Sequence, residues 1–142
     1  MPEQVDFATP AWLAMAREVF QQCVDAAGAG ARERDYSICE VYEQAPEAIA
    51  PGGRAVWTLR LRDGRLDFSL TETDDVVLKI VSEFYAIHPI AAFVVGEDAE
   101  RRREQNRRIG RAMKGGLVRV TGDPNLPAFL LPAHDAIARR TR

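Results

Sequence analysis

Apolar and polar positions alternate most regularly between Arg54 and Leu70. Ala55, Trp57, Leu59 and Leu61 share one side of an extended run, and Arg54, Thr58, Arg60 and Arg62 fall mostly on the other. Asp63-Gly64 supplies a two-residue hairpin turn, and Leu66, Phe68 and Leu70 then alternate against Asp67 and Ser69 on the return. The pattern predicts an antiparallel hairpin with one face apolar and the other in water. Upstream, Tyr36 to Glu43 is rich in strand formers and is closed by Pro46 and Pro51-Gly52-Gly53. Val76 to Val81 reads as a further strand, because a Thr73-Asp74-Asp75 turn precedes it and four of its six residues are β-branched. Leu117 to Val120 alternates as a last strand behind the Gly115-Gly116 turn.

Helical spacing brackets these strands. Thr9-Pro10 caps a helix from about Ala11 to Ala27, with Leu13, Ala16, Val19, Phe20, Cys23 and Val24 on its apolar face and Gly28 and Gly30 as stops. Ser82 is expected to cap a short helix, Glu83 to Ile87, broken at His88-Pro89, with Pro89 able to start another turn through Val95. Asp123-Pro124 repeats the cap-plus-proline device. Leu126, Phe129, Leu130, Ala133 and Ile137 follow on one helical face, which Pro132 is expected to interrupt.

Between Gly96 and Gly110 only Ala99 is apolar before Ile109, and Glu97, Asp98, Glu100 and Glu104 interleave with five arginines. A stretch that cannot bury a face is a solvated helix or a mobile loop. As a helix it would carry Glu97–Arg101 and Glu104–Arg108 pairs at favourable spacing, with Glu100 and Glu104 opposed. A basic lid or a docking edge for an acidic partner or lipid headgroup is the sharper reading, with Arg111 and Lys114 extending it.

Composition narrows the classes. With 142 residues the chain is most simply one domain, 1-142, and a net charge of −2 gives no reason to expect nucleic acid. No apolar run is longer than the six residues of Ile90 to Val95, too short for a bilayer. The Met-Pro-Glu-Gln start shows no secretory signal, so a cytoplasmic location is expected. Cys23 and Cys39 match no metal or redox spacing. His88 and His134 lack a ligand cluster around them, and Asp74-Asp75 reads as a turn. No phosphate loop is present, and no base with an orienting partner can be named. No catalytic residue, cofactor or metal is therefore expected, and an enzyme is the less favoured reading.

Three segments in order carry a family likeness: VWTLRLRDGRLDFSL (Val56 to Leu70), VVLKIVSEF (Val76 to Phe84) and MKGGLVRVTGDP (Met113 to Pro124). Together they resemble the sterol carrier protein type-2 family of lipid-binding proteins. The resemblance covers Phe7 to Arg139 except for a charged insertion at about 96-112. It implies an α+β fold, a five-stranded, mainly antiparallel curved sheet covered by helices. It also implies an apolar tunnel for a lipid, sterol or other hydrophobic small molecule, which the protein would bind and transfer or present.

The expected ligand contacts are Trp57, Leu59, Leu61, Leu66, Phe68 and Leu70 on the hairpin, roofed by Phe84, Ile87, Phe93, Met113, Phe129 and Leu130. Burying roughly ten methylenes would contribute on the order of 8 kcal/mol before binding costs. Transient membrane contact is compatible with the basic stretch. The alternatives are a protein-interaction module docking through the Arg-rich insertion, and an accessory enzyme using the same cavity. The residues themselves do not separate cavity lining from filled core, and they set no oligomeric state.

Overall fold

A computed structural model describes residues 3–142 of the chain. The element order is α1 (Pro10–Ala27), β1 (Tyr36–Glu43), β2 (Ala55–Arg62), β3 (Arg65–Ser69), β4 (Leu78–Glu83), α2 (Phe84–Ala91), α3 (Ala99–Lys114), β5 (Val118–Gly122) and α4 (Ala133–Ala138), with short 3-10 turns between some of them. The five strands form one sheet in the order β3-β2-β1-β4-β5. Every pair is antiparallel except β1 with β4. The fold is therefore α+β around a mixed, mainly antiparallel sheet.

The hairpin forms as its pattern requires. Asp63 and Gly64 both take positive φ, 50° and 76°, the geometry of a turn whose twist matches the flanking strands. Thr9 caps α1 by accepting from the Trp12 amide at 3.2 Å, and the helix buries Leu13, Ala16, Val19 and Val24 as expected. It also buries Trp12 and Met15.

Several boundaries move. The strand expected at Val76 to Val81 runs instead over Leu78–Glu83, because Ser82 and Glu83 continue the ladder with β1 and Ser82 also pairs with Val118. Ser82 is thus a strand residue. Glu83 is the real cap of α2, its carboxylate accepting from the Ala86 amide at 2.8 Å. α2 does not break at His88-Pro89: it continues to Ala91. Pro89 forfeits one internal hydrogen bond, but a helix this short has few to lose, and seating Ile87 and Ile90 against the sheet outweighs it.

The helix expected directly after Asp123-Pro124 is absent. Asp123 still belongs to the sheet edge, its amide donating to the Val77 carbonyl at 3.0 Å, and its side chain accepts from the Asn125 amide at 2.9 Å. Arg34 donates to the Asn125 carbonyl at 2.7 Å. Pro127 then disfavours helical geometry at Leu126. Only a 3-10 turn, Ala128–Leu130, and α4 behind Pro132 remain, so the expected interruption at Pro132 stands.

The hairpin's polar face is not simply in water. The segment joining β3 to β4 crosses the outer side of the sheet, where Thr58 is buried and donates to the Thr71 carbonyl at 2.7 Å. Cys39 and Val41 are fully buried on that side, and an Arg54–Glu72–Lys79–Asp74 ion-pair chain lies there.

The charged stretch is a helix, but not a fully solvated one. α3 starts at Ala99 under an Asp98 cap and runs on to Lys114, so Gln105, Ile109, Ala112 and Met113 form a narrow seam toward α2, β5 and the cavity. Glu104–Arg108 pairs at 3.1 Å as expected. Glu97–Arg101 does not, since Glu97 precedes the helix and Arg101 donates to the Val94 carbonyl instead. Glu100 avoids Glu104 by pairing with Arg103.

Candidate functional site

The inner face of the sheet presents the even-numbered residues of β1, namely Tyr36, Ile38, Glu40 and Tyr42. Trp57 and Leu59 of β2, Leu78 and Ile80 of β4, and Val118 and Val120 of β5 extend that face. Trp12 and Phe20 of α1 stand at one side; Ile87, Ile90 and Ala91 of α2 with Ile109 and Met113 of α3 stand at another. The C-terminal segment closes over the top with Pro124, Leu126, Leu130, Leu131, Ala133, His134 and Ile137. These groups enclose a cavity of ≈ 580 Å³. That volume lies within the range of small-molecule sites, which are mostly apolar with a few placed polar groups. A second concavity, of ≈ 370 Å³, is a depression on the polar side of α1 lined by Arg17, Glu18, Gln21, Gln22, Asp25 and Ala14, and a single helix face encloses nothing.

The mouth of the larger cavity is marked by residues that both line it and reach solvent. Met113 is 45% exposed, Leu126 38% and Leu131 60%. Because these side chains belong to α3 and to the irregular C-terminal segment, the opening lies between those two elements.

Polar groups in the cavity are few. Trp57 Nε1 donates to the Tyr42 hydroxyl at 2.8 Å, which leaves the Tyr42 proton to donate, over a long 3.5 Å, to Glu40 Oε1. Glu40 lies between Trp57 and Ile80, its register partners on the two flanking strands. Burial pushes its carboxyl up to about 7, with the Tyr42 hydrogen bond opposing the shift. Burial likewise pushes the Tyr36 phenol up to about 12, and the Tyr36 hydroxyl is buried with no hydrogen-bond partner. His134 is exposed at the rim and lies 2.9 Å from the Phe93 carbonyl. Among the described residues no group of three His, Cys, Asp or Glu side chains could hold a metal ion.

Of the twelve contacts expected from the sequence, Trp57, Leu59, Ile87, Met113 and Leu130 line the cavity. The other seven lie elsewhere. Leu61, Leu66 and Phe68 belong to the solid core beneath α1, where Phe68 stacks on Trp57 at 5.7 Å and Phe20 approaches both rings. Leu70 falls beyond the end of β3 and is 60% exposed. Phe84 packs against Phe7 and His88. Phe93 is outside the cavity, flanked by the guanidinium groups of Arg101 and Arg108 at 4.4 and 4.5 Å from its ring centre. Phe129 packs on the core, one residue away from the lining Leu130.

Sequence reasoning missed the β1 contribution, above all Glu40. The signal was there: in YSICEVYE the positions of Tyr36, Ile38 and Tyr42 share a face with one carboxylate. It carries weight only once β1 is known to be the central strand.

No protein-family model matches the chain, and no curated protein matches it. Solved structures do. A conserved hypothetical protein of Thermus thermophilus, described as a candidate sterol carrier protein, is similar over 98% of this chain and 92% of its own, at 14% identity and a TM-score of 0.52. Sterol carrier protein domain 2 of Helicoverpa armigera is similar over 89% and 87%, at 10% identity and a TM-score of 0.48. A crystal structure of sterol carrier protein 2 covers 93% and 92%, at 16% identity and 0.45. With its mixed five-stranded sheet and flanking helices, this chain has a sterol-carrier-protein-like fold.

Proposed function

We propose that the chain binds a lipid, sterol or other hydrophobic small molecule in this cavity and transfers or presents it to another protein or surface. The observation that carries the reading is the ≈ 580 Å³ apolar volume, roofed by α2, α3 and the C-terminal segment, where a filled core would have left none. Core packing normally leaves few voids larger than a water molecule, so an apolar volume of this size has the form of a ligand site and not of a packed core. The sterol-carrier-like fold supports the same reading.

The mouth favours exchange. Met113, Leu126 and Leu131 are exposed apolar side chains at the opening, and α3 also carries the exposed basic residues Arg107, Arg111 and Lys114, which would support transient contact with an anionic membrane surface. No helix among the described residues is long and apolar enough to cross a membrane. A carrier or presenter fits the exposed apolar mouth, and a cytoplasmic location is part of the proposal.

Titration with fatty-acid and sterol analogues, followed by native mass spectrometry and fluorescence, tests the proposal. Saturable one-to-one binding is expected, together with an extractable hydrophobic molecule in the purified protein. Absence of saturable binding across both classes would reject it.

A further inference from the structure

We infer that the cavity selects hydrophobic ligands bearing a neutral hydroxyl, which donates its hydrogen bond to Glu40, over ligands ending in a carboxylate. This rests on the proposed binding function and names the chemical class of its ligand. Glu40 is placed in mid-strand at the centre of the sheet, facing the cavity between Trp57 and Ile80. A carboxylate offers about four acceptor positions, and in this structure Glu40 meets only the long contact from Tyr42. The neighbouring donor, Trp57 Nε1, is already committed to Tyr42. The unused acceptor capacity therefore points into the apolar volume.

The surroundings decide which head group fits. The titratable groups lining the cavity besides Glu40 are Tyr36 and Tyr42 on β1 and His134 at the exposed rim; the lining residues of α1, α2, α3, β2, β4 and β5 are all uncharged. No lysine or arginine lines the cavity to receive a fatty-acid carboxylate. Two carboxylates in one apolar site cannot both ionise readily, so the ionised form of a fatty-acid ligand is opposed by Glu40 itself. A cationic amine would find a partner but must be stripped of water to reach it, and such buried pairs return about what desolvation costs. An alcohol brings a donor at the smallest desolvation cost.

The test uses the full chain and four probes of one chain length: 1-dodecanol, its methyl ether, dodecanoate and dodecylamine. Affinities are read by displacement of a neutral fluorescent dye and checked by native mass spectrometry. Above the Glu40 transition, near pH 8.5, dodecanol should bind roughly tenfold tighter than the ether, the size of one hydrogen bond to a charged acceptor. Below it, near pH 5.5, the protonated carboxyl can donate to the ether oxygen, and the ratio should fall to about threefold or less. Glu40→Gln, which both donates and accepts, should hold the ratio low at both pH values and improve dodecanoate binding about tenfold near pH 8.5.

A ratio in the native chain that does not change with pH would overturn the inference without needing any variant. So would dodecanoate matching dodecanol near pH 8.5, or dodecylamine exceeding it. If the neutral probes bind without discrimination, only this inference fails. If no probe binds, the proposed function fails with it.

Discussion

Trp57 and Tyr42 meet diagonally across the β1–β2 pair, with the indole N–H donating to the phenolic oxygen at 2.8 Å in a buried setting. That bond orients the Tyr42 hydroxyl toward Glu40, so two aromatic side chains of the core hold the polar centre of the cavity. Tyr42→Phe leaves the Trp57 N–H without an acceptor and should cost about 1–3 kcal/mol in urea denaturation. Losing the donor should also raise the Glu40 carboxyl further above about 7, which carboxyl-labelled NMR titration would show directly.

Glu40 makes stability depend on pH in an uncommon direction for a carboxylate. Its ordinary value of 4.5 applies to the unfolded chain, and burial raises the folded value to about 7, so the folded state binds the proton more tightly. The protonated group is accommodated below 4.5; stability then falls as pH rises toward about 7 and is level above it. The gap corresponds to a loss of no more than about 3–4 kcal/mol. Glu40→Gln should remove this slope and leave the protein more stable than the native chain near pH 8, as measured by thermal unfolding across pH.

On the acid side the sign reverses. Burial alone would raise the Asp135 carboxyl, but hydrogen bonds from the Val95 and Gly96 amides, both at 2.9 Å, hold it below its ordinary value. Its contribution is present above the unfolded value of 3.8 and is lost as pH falls through the lower folded one. Asp135→Ala releases both amides of the turn leading to α3 and should cost about 1–3 kcal/mol at neutral pH. Faster amide exchange at Val95 and Gly96 would mark the site of the damage.

Filling the cavity should separate binding from folding. Ile109 on α3 lines the volume and is only partly buried. Ile109→Trp can extend into existing space, so the usual overpacking cost of about 1–3 kcal/mol should be largely avoided. Ligand affinity should fall at least about tenfold while the melting temperature holds. A substantial drop in melting temperature with unchanged affinity would contradict the assigned lining.

Gly122 ends β5 at a φ of 101°, and a β-carbon built there would lie 2.1 Å from the Val77 carbonyl oxygen. Backbone rather than a flexible side chain is in the way, so Gly122→Ala must displace the end of the β4–β5 pair. A loss of about 1–3 kcal/mol or more is expected from strain of this kind. Hydrogen exchange would show it as loss of protection at Asp123, whose amide donates to Val77.

Much of the scaffold was readable from local chemistry. The Thr9-Pro10 cap, the Asp63-Gly64 turn and the alternation of β2 are decided within a few residues, because propensity, capping and pleat act at that range. Elements whose ends depend on partners were misjudged. Ser82 is a strand residue because Tyr42 and Val118 flank it, and α2 passes through Pro89 because the sheet receives Ile87 and Ile90.

The site divides in the same way. The sequence by itself determined that an apolar sheet face exists and that Trp57 and Leu59 lie on it. Only the tertiary structure decided that α1 seals the β3 end with Phe20 against Phe68 and Trp57, whereas α2, α3 and the C-terminal segment pack on the rest of the face without filling the space over β1, β4 and β5. The physical reason is that lining and core residues obey the same alternation and have the same chemistry. What separates them is whether the covering element fills the space opposite, and that is set by helix placement, not by any residue's own pattern.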